Sequence, residues 1–321
     1  MKLRDELLSL GVKADIDKIP DPLADVNHHI AYLGYTTPSG RLDTLMVTHI
    51  DSLAKRGLLM RQLETAALGI CMSSHAVNAL VNAGIPREKL CHVVPAHDGV
   101  MSPRSIVIGI TTRTYTDGRK REYLLTRLAE RIDLSPFHFC IMGAGWDEVV
   151  EKLRPSGASV DYISEFAPER YRGLIAGLDY YLYLGCDEGS MGFVDALAAG
   201  VATIVTPQGF HLDAPGAITH SFETEDDLIA VFLAVAEERM SRVRAVQDWT
   251  WRNYAIKHLD VWGFLQSGLA PAAPHYSDGV ASLATYIPPP GLLRRTKALS
   301  LLVRGSIRGL TAGLRAFWAR R

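Results

Sequence analysis

Short apolar and β-branched runs alternate with longer segments of helical periodicity along most of the chain. The runs that predict strands cover residues 30–35, 45–49, 70–72, 92–94, 105–110, 137–142, 159–163, 180–184 and 203–206. The segments that predict helices cover residues 52–64, 74–82, 121–130, 168–176, 192–199 and 225–239, with one more beginning at Trp146. Such alternation is typical of parallel sheets with helices on both faces, so the pattern predicts an α/β fold.

The alternation breaks near residue 100 and then restarts, which indicates two domains. We predict a shortened N-terminal Rossmann-like domain over residues 1–103 and a more complete one over residues 104–269. Two doubly wound domains of this kind would face a cleft, and the ligands of such sheets bind at the carboxyl ends of the strands. Residues 270–293 are rich in Pro and Ala and predict a linker, which leads to a tail over residues 294–321.

Composition narrows the class of protein. The chain has 321 residues, of which 48% are hydrophobic and 21% charged, so disordered, collagen-like and coiled-coil proteins are excluded. Its four cysteines show no paired spacing, which argues against a disulfide scaffold or a zinc ribbon and favours a reducing cytoplasm. The charged N-terminus is unlike a signal peptide, and no apolar run approaches the length of a membrane span. We therefore expect a soluble body.

The tail differs from the body in charge, because residues 294–321 hold eight basic residues and no acidic one. On a helical wheel Lys297, Arg304, Arg308 and Arg315 share one face, and apolar and aromatic side chains share the other. This pattern predicts a basic amphipathic helix on an anionic membrane surface, which would make the protein peripheral at the cytoplasmic face. A helix packed on the body or on a partner subunit is the alternative, and nucleic acid is not expected.

The clearest local signal is the segment GCDEGSMGFVDALAAGV over residues 185–201. A predicted strand ends near Leu184, a loop with Asp187 and Glu188 follows, and a helix of small residues begins. The N–H groups at the helix start belong to Gly189, Ser190, Met191 and Gly192. Together with the helix dipole they can hold a diphosphate, and Asp195 can accept the hydroxyls of a ribose. Alternatively, the two loop acids only complement the helix dipole.

This segment resembles the donor-binding motif of retaining GT-B glycosyltransferases of the family 4 type. In that family two acids separated by seven residues flank a Gly-rich turn, and Asp187 and Asp195 have this separation. Glu188 and Gly189 match the family's Glu-Gly pair with one residue fewer, so Asp187 and Glu188 are both candidates for the first acid. Asp195 replaces the commoner Glu, and Ala202 stands where the family often has Pro.

Further segments fit the same resemblance in the same order, over roughly residues 44–265. They are residues 71–95, 108–113 with Lys120, 139–145 and 248–262. The last of these resembles the terminal helix of the family, which crosses back onto the N-terminal domain. The resemblance implies that Arg113 and Lys120 bind the donor diphosphate, with Arg119 or Arg121 as alternatives to Lys120.

The resemblance also implies that His49 contacts the donor sugar near the reaction centre. Alternatively, His49 has only a structural role, as a histidine at the end of a strand that hydrogen-bonds to the backbone. Asp51 is a second catalytic candidate, which could instead cap the following helix. Because such enzymes have no convincing protein nucleophile, we expect front-face transfer in which the leaving phosphate helps take the proton of the acceptor. No metal site and no cofactor are expected.

The chain departs from the family in its first domain, which has about 100 residues, begins with a charged helix and has no Gly-rich loop. Asn27, His28 and His29 precede the predicted 30–35 strand, and they could take the place of part of the missing loop. A metal site at His28 and His29 has no nearby third ligand, so we expect a surface or structural role for them.

The sequence thus predicts a hexosyltransferase that moves a sugar from a nucleotide-diphosphate sugar to a polysaccharide, lipid-linked or other glycan acceptor, with retention of configuration. The alternatives are a non-catalytic GT-B partner of another transferase and a GT-B sugar-nucleotide epimerase. The only sequence feature that favours a dinucleotide-dependent oxidoreductase is the pair Gly143 and Gly145. Homo-oligomerisation stays open.

Overall fold

The computed structural model describes residues 2–214 and 216–267 of the chain. They form two units, of which the first combines the residues up to Asp98 with those from Trp249 onward, and the second runs from Gly99 to Asp248. The first boundary lies close to the predicted one at residues 103 and 104. Residues 249–267, which include the expected crossover helix, belong to the first unit. The predicted linker over 270–293 and the predicted amphipathic tail over 294–321 lie outside the described residues.

The first unit is built on a four-stranded parallel sheet. Its strands are β1 (Val26–His29), β2 (Leu42–Val47), β3 (Leu68–Cys71) and β4 (Leu90–His92). Its helices are α1 (Lys2–Ser9), α2 (Leu53–Thr65), α3 (Ser74–Val81) and α9 (Trp251–Ser267). The spatial order β1-β2-β3-β4 follows the chain, so this sheet shows no reversal of winding, unlike the doubly wound domain expected here.

Helices cover both faces of this first sheet. One core cluster joins Leu45 of β2 to Leu59 of α2 and Val77 of α3. The other core joins Ile70 of β3 to Leu7 of α1 and to residues of α9, namely Tyr254, Ala255, Val261 and Trp262. The last helix of the described chain therefore completes the core that the first helix begins.

The predicted strand over residues 30–35 is wrong. The strand is β1, at Val26–His29, and Tyr32–Gly34 form a short 3-10 turn. The Gln62 side chain explains the turn, because its Nε2 donates to the carbonyl oxygens of Tyr32 at 2.6 Å and Tyr35 at 2.8 Å. These carbonyls are thus satisfied by a side chain of α2 and not by a neighbouring strand.

His28 and His29 have structural partners in β2. A ring nitrogen of His28 lies 3.0 Å from the Thr44 hydroxyl, and Nε2 of His29 lies 2.9 Å from a carboxylate oxygen of the buried Asp43. These contacts pair β1 with β2 through side chains as well as through the backbone.

The second unit contains a six-stranded parallel sheet. Its strands are β5 (Ile106–Ile110), β6 (Phe137–Met142), β7 (Ser159–Ile163), β8 (Tyr180–Tyr183), β9 (Ala202–Val205) and β10 (His220–Ser221). Its helices are α4 (Tyr123–Arg131), α5 (Asp147–Leu153), α6 (Pro168–Ala176), α7 (Met191–Ala198) and α8 (Glu225–Arg244).

The spatial order β10-β9-β8-β5-β6-β7 reverses direction between β5 and β8. Alternate residues along the strands enter two cores, one against α4, α5 and α8 and the other against α6 and α7. The α/β prediction with parallel sheets is confirmed, and the second unit is doubly wound in the Rossmann order.

None of the helices in the described ranges is both long enough and apolar enough to cross a bilayer.

Candidate functional site

A cavity of about 380 Å³ opens at the carboxyl ends of β5 and β8, where the winding of the second sheet reverses. Ligands of doubly wound sheets bind at this position, because the loops after the two strands diverge there. The lining residues come from the loop after β5, from α6 and the loop before it, and from α7 and the loop before it: Thr111, Thr112, Arg113, Tyr115, Lys120, Phe166, Tyr171, Gly189, Ser190, Met191, Gly192 and Asp195.

Two glycines let the start of α7 form one wall of the cavity. Gly189 has a φ of +120°, which a residue with a side chain rarely adopts. At Gly192 a Cβ atom would lie 2.2 Å from the Thr111 hydroxyl oxygen and 2.3 Å from the Tyr181 hydroxyl oxygen. Only glycine therefore allows the helix to begin this close to the end of β5.

The four predicted N–H donors at the start of α7 divide into two pairs. The Gly189 N–H donates to Oδ1 of Asp187, and the Ser190 N–H donates to Nε2 of His211, both at 3.2 Å. For the N–H groups of Met191 and Gly192, the described part of the chain supplies no acceptor. These two donors stay available to an anion at the positive end of the helix dipole.

Lys120, Asp187 and Tyr183 form a compact cluster beside the cavity. Nζ of Lys120 lies 2.7 Å from a carboxylate oxygen of Asp187 and 2.7 Å from the Tyr183 hydroxyl, which in turn donates to Asp187. The Lys120 and Asp187 side chains are only 11% and 24% exposed. Burial tends to raise the pKa of Asp187, but the hydrogen bonds from Lys120, Tyr183 and the backbone outweigh it, so the pKa lies below its usual range.

Arg113 lies at the exposed rim of the same cavity. Its Nε donates to the Tyr115 hydroxyl at 2.7 Å, and its guanidinium carbon lies 4.6 Å from the centre of that ring. Among the described residues it forms no ion pair, so its charge is open to a ligand.

The two alternatives to Lys120 have other positions. Arg119 stacks on Tyr115 and lies 3.4 Å from Asp117, and Nε of Arg121 donates to the carbonyl oxygen of Leu184 at 2.6 Å. Neither lines the cavity, so Lys120 is the second cation at this site.

Asp195 lies in α7 and faces the cavity. Its carboxylate accepts a hydrogen bond of 2.6 Å from the Tyr171 hydroxyl of α6, and the Tyr171 ring packs on Phe166 at 5.2 Å between centroids. Burial, and then the hydrogen bond to Asp195, raise the pKa of Tyr171, so its hydroxyl stays protonated as a donor. Tyr171 thereby fixes the orientation of the carboxylate.

The two candidates for the first motif acid differ in position. Asp187 lies behind Lys120 and binds it, whereas Glu188 is exposed and does not line the cavity. Of the two acids, only Asp187 contacts a residue that lines the cavity, namely Lys120.

His49 and Asp51 lie in the first unit, just after β2. His49 is exposed and has a φ of +55°, a strained backbone conformation for a residue with a side chain. Asp51 binds Nζ of Lys55 at 2.9 Å, and Ser52 is the residue that caps α2. The catalytic role of both residues stays a prediction.

Sequence reasoning missed His211, Tyr171 and Tyr183. His211 is fully buried, and its Nε2 accepts from the Ser190 N–H while Nδ1 lies 3.2 Å from the carbonyl oxygen of Thr206. Because Nε2 accepts this hydrogen bond, the ring proton lies on Nδ1, and burial lowers the pKa of the ring. No motif marks these residues, because each acts through a contact made only in the folded chain.

No family model matches this chain, and no curated protein matches it either. Several solved structures are similar to it. HepE of Anabaena, in complex with UDP and glucose, is 15% identical over 71% of this chain and 70% of its own, with a TM-score of 0.33. The lipopolysaccharide outer core galactosyltransferase WaaB, in its apo form, is 14% identical over 75% of each chain, with a TM-score of 0.34. The catalytic domain of the cholesterol-alpha-glucosyltransferase from Helicobacter pylori is 12% identical over 49% of this chain and 99% of its own, with a TM-score of 0.35.

Proposed function

We propose that this chain is a GT-B glycosyltransferase that binds a nucleotide-diphosphate sugar in the cavity of the second unit. The observation that carries the proposal is the grouping of an oriented carboxylate, two cations and two open N–H groups around one cavity at the switch point of the sheet.

Each part of the cavity suits one part of such a donor. The N–H groups of Met191 and Gly192 and the cations of Arg113 and Lys120 complement a diphosphate. The Asp195 carboxylate has a second oxygen beyond the one that Tyr171 binds, and it can accept hydrogen bonds from a ribose diol. A nucleoside diphosphate carries both features, a diphosphate and a ribose diol, and it therefore fits the site.

The same residues can assist the transfer itself. When the bond between sugar and phosphate breaks, negative charge grows on the departing diphosphate. Fixed cations and helix N–H groups stabilise that charge without rearranging, which lowers the barrier. We propose that the reaction is metal-independent and retains the configuration of the sugar, as in the family 4 type, with His49 and Asp51 acting near the sugar.

We also propose an acceptor class and a location in the cell. The tail over residues 294–321 is basic, and we propose that it binds the inner face of the membrane. A polysaccharide or lipid-linked acceptor would suit an enzyme at that location.

Calorimetric titration tests the donor site. The wild-type chain is titrated without added metal against UDP, which HepE binds, and against other nucleoside diphosphates and their sugars. We expect selective micromolar binding that Asp195→Asn weakens about 10- to 100-fold, because a hydrogen bond to a charged group is lost. Asp226→Asn, at an exposed carboxylate of α8, is the matched control and should bind as the wild type does.

Two outcomes would redirect the proposal. If no nucleotide binds the wild-type chain, the donor site is refuted. If nucleotide binds but sugar transfer to glycan acceptors is never detected, the chain is better described as the non-catalytic partner or the epimerase, and the fate of the donor sugar, followed by NMR, separates these two.

A further inference from the structure

The second sheet carries, outside the cavity, three neighbouring side chains of the types that bind metals in proteins. They are His138 and Cys140 of β6 and Asp161 of β7, and their ligand atoms all lie within 4.8 Å of one another. None of them lines the cavity, and the proposed transfer does not use them.

The backbone explains why they meet. Alternate residues of β6, Phe137, Phe139 and Ile141, are buried in the core under α4, α5 and α8, so His138 and Cys140 share the opposite face of the strand. In the parallel register Cys140 pairs with Asp161, and His138 pairs with Ser159. Because neighbouring strands lie about 4.8 Å apart, these four residues form the corners of one small patch.

The distances suit a tetrahedral cation. Nε2 of His138 lies 3.2 Å from a carboxylate oxygen of Asp161. Two ligands that each lie about 2.0–2.1 Å from a tetrahedral zinc ion are separated by about 3.3–3.4 Å. The pair therefore already has nearly the spacing that a shared zinc ion requires.

A further contact orients the histidine. Nδ1 of His138 lies 2.8 Å from the Ser159 hydroxyl, so the ring is held with Nε2 directed to Asp161. Histidine ligands of metals are commonly oriented in this way through their other nitrogen. The Asp161 side chain is 77% exposed and that of His138 21% exposed, so an ion can enter and a water can complete the coordination.

We propose that His138, Cys140 and Asp161 bind one zinc ion, with water as the fourth ligand. On binding, the S–H bond of Cys140 breaks, its proton leaves to solvent and an S–Zn bond forms, with no change of oxidation state. The thiolate and the carboxylate together neutralise the charge of Zn²⁺, a ligand set that suits this borderline cation. The ion would link β7, one of the two edge strands of the sheet, to β6.

The test uses the full chain after dialysis against a chelator, titrated with Zn²⁺ by calorimetry and with Co²⁺ by absorption. We expect one cation per chain and, with Co²⁺, a charge-transfer band from the Cys140 thiolate. Cys140→Ser and Asp161→Asn should each weaken Zn²⁺ binding at least about tenfold, and Ser159→Ala about 10-fold through its effect on His138. Cys186→Ser, which removes an exposed thiol outside the patch, is the control and should change nothing.

Three results would overturn the inference: no Zn²⁺ binding to the wild-type chain, equal Zn²⁺ affinity in Cys140→Ser, or a cobalt band that disappears with Cys186→Ser. In each case the contact between His138 and Asp161 only joins the two strands. Because Asp161 is exposed, its variant should fold, and a circular dichroism melt checks this. No nucleotide enters the experiment, so its outcome is independent of the proposed function.

Discussion

The pair formed by Lys120 and Asp187 should stabilise the second unit more than a surface ion pair does. Its two side chains are 11% and 24% exposed, and Tyr183 binds both of them. Replacing Lys120 by Met leaves a carboxylate without its cation, and replacing Asp187 by Asn leaves the cation without its carboxylate.

The magnitude follows from the burial. Breaking a fully buried pair by removing one partner costs about 3–5 kcal/mol, and an exposed pair contributes below about 1 kcal/mol. Because Lys120 and Asp187 are mostly but not fully buried, we expect each single variant to lower the free energy of unfolding by about 2–3 kcal/mol. For a unit of this size the melting temperature would fall by about 5–10 °C.

A double-mutant cycle measures the interaction. The chain with both Lys120→Met and Asp187→Asn keeps neither charge, so its loss should stay near that of one single variant, with a coupling of about 2 kcal/mol. Arg119→Met is the matched control, because Arg119 lies 3.4 Å from Asp117 with its side chain 43% exposed, and it should cost less than about 0.5 kcal/mol. The assay is chemical denaturation of the four chains and the control at pH 7.

Pyrophosphate binding to the same chains gives a second readout. Asp187→Asn frees the Lys120 cation and should tighten binding about two- to tenfold, whereas Lys120→Met should weaken it. If the stability losses of the two single variants add within about 0.5 kcal/mol in the double variant, the two residues are not coupled and the reasoning is refuted.

Three further predictions concern other parts of the chain. Gly192→Ala should destabilise the protein by about 1–3 kcal/mol in thermal melts, because its Cβ would overlap two hydroxyl oxygens, whereas Gly173→Ala, with open space around it, should be neutral or stabilising. Tyr171→Phe should keep the fold but weaken nucleotide binding in calorimetry several-fold, since the carboxylate of α7 loses its orienting hydrogen bond. Burial lowers the pKa of His28 to about 3 and that of His258 to about 4, and for His28 the nearby His258 and His29 lower it as well. The unfolded chain then binds protons first as the pH falls below 6.5, so each histidine should remove about 2 kcal/mol of stability between pH 7 and pH 5, measured by urea unfolding followed by tryptophan fluorescence. A urea midpoint that does not change over this range would contradict that assignment.

Much of the second unit could be predicted from the sequence, because its strands are short apolar runs and its helices have clear starts. The predicted ranges 137–142, 159–163 and 168–176 agree with β6, β7 and α6 in the structure. Arg113 and Lys120 were expected at one site because of the family resemblance, and Asp195 because of its place in the 185–201 segment. The structure brings all three to one cavity.

The rest depends on contacts between residues that are distant in the chain. Tyr171 reaches Asp195 across 24 residues and His211 reaches Ser190 across 21, so no local pattern reports either contact. The predicted strand over residues 30–35 failed for the same reason, since Gln62 binds the carbonyl groups of that segment from another element.

The discontinuous first unit has a consequence for how the chain folds during synthesis. One face of its sheet is covered by α1 and α9, and α9 ends at Ser267, far along the chain from β4. The second unit is continuous from Gly99 to Asp248 and can close its cores while α9 is still being made. The unit that begins to leave the ribosome first therefore completes its core last. Ile70 and Cys91 can pack against Tyr254 and Trp262 only after α9 has been made.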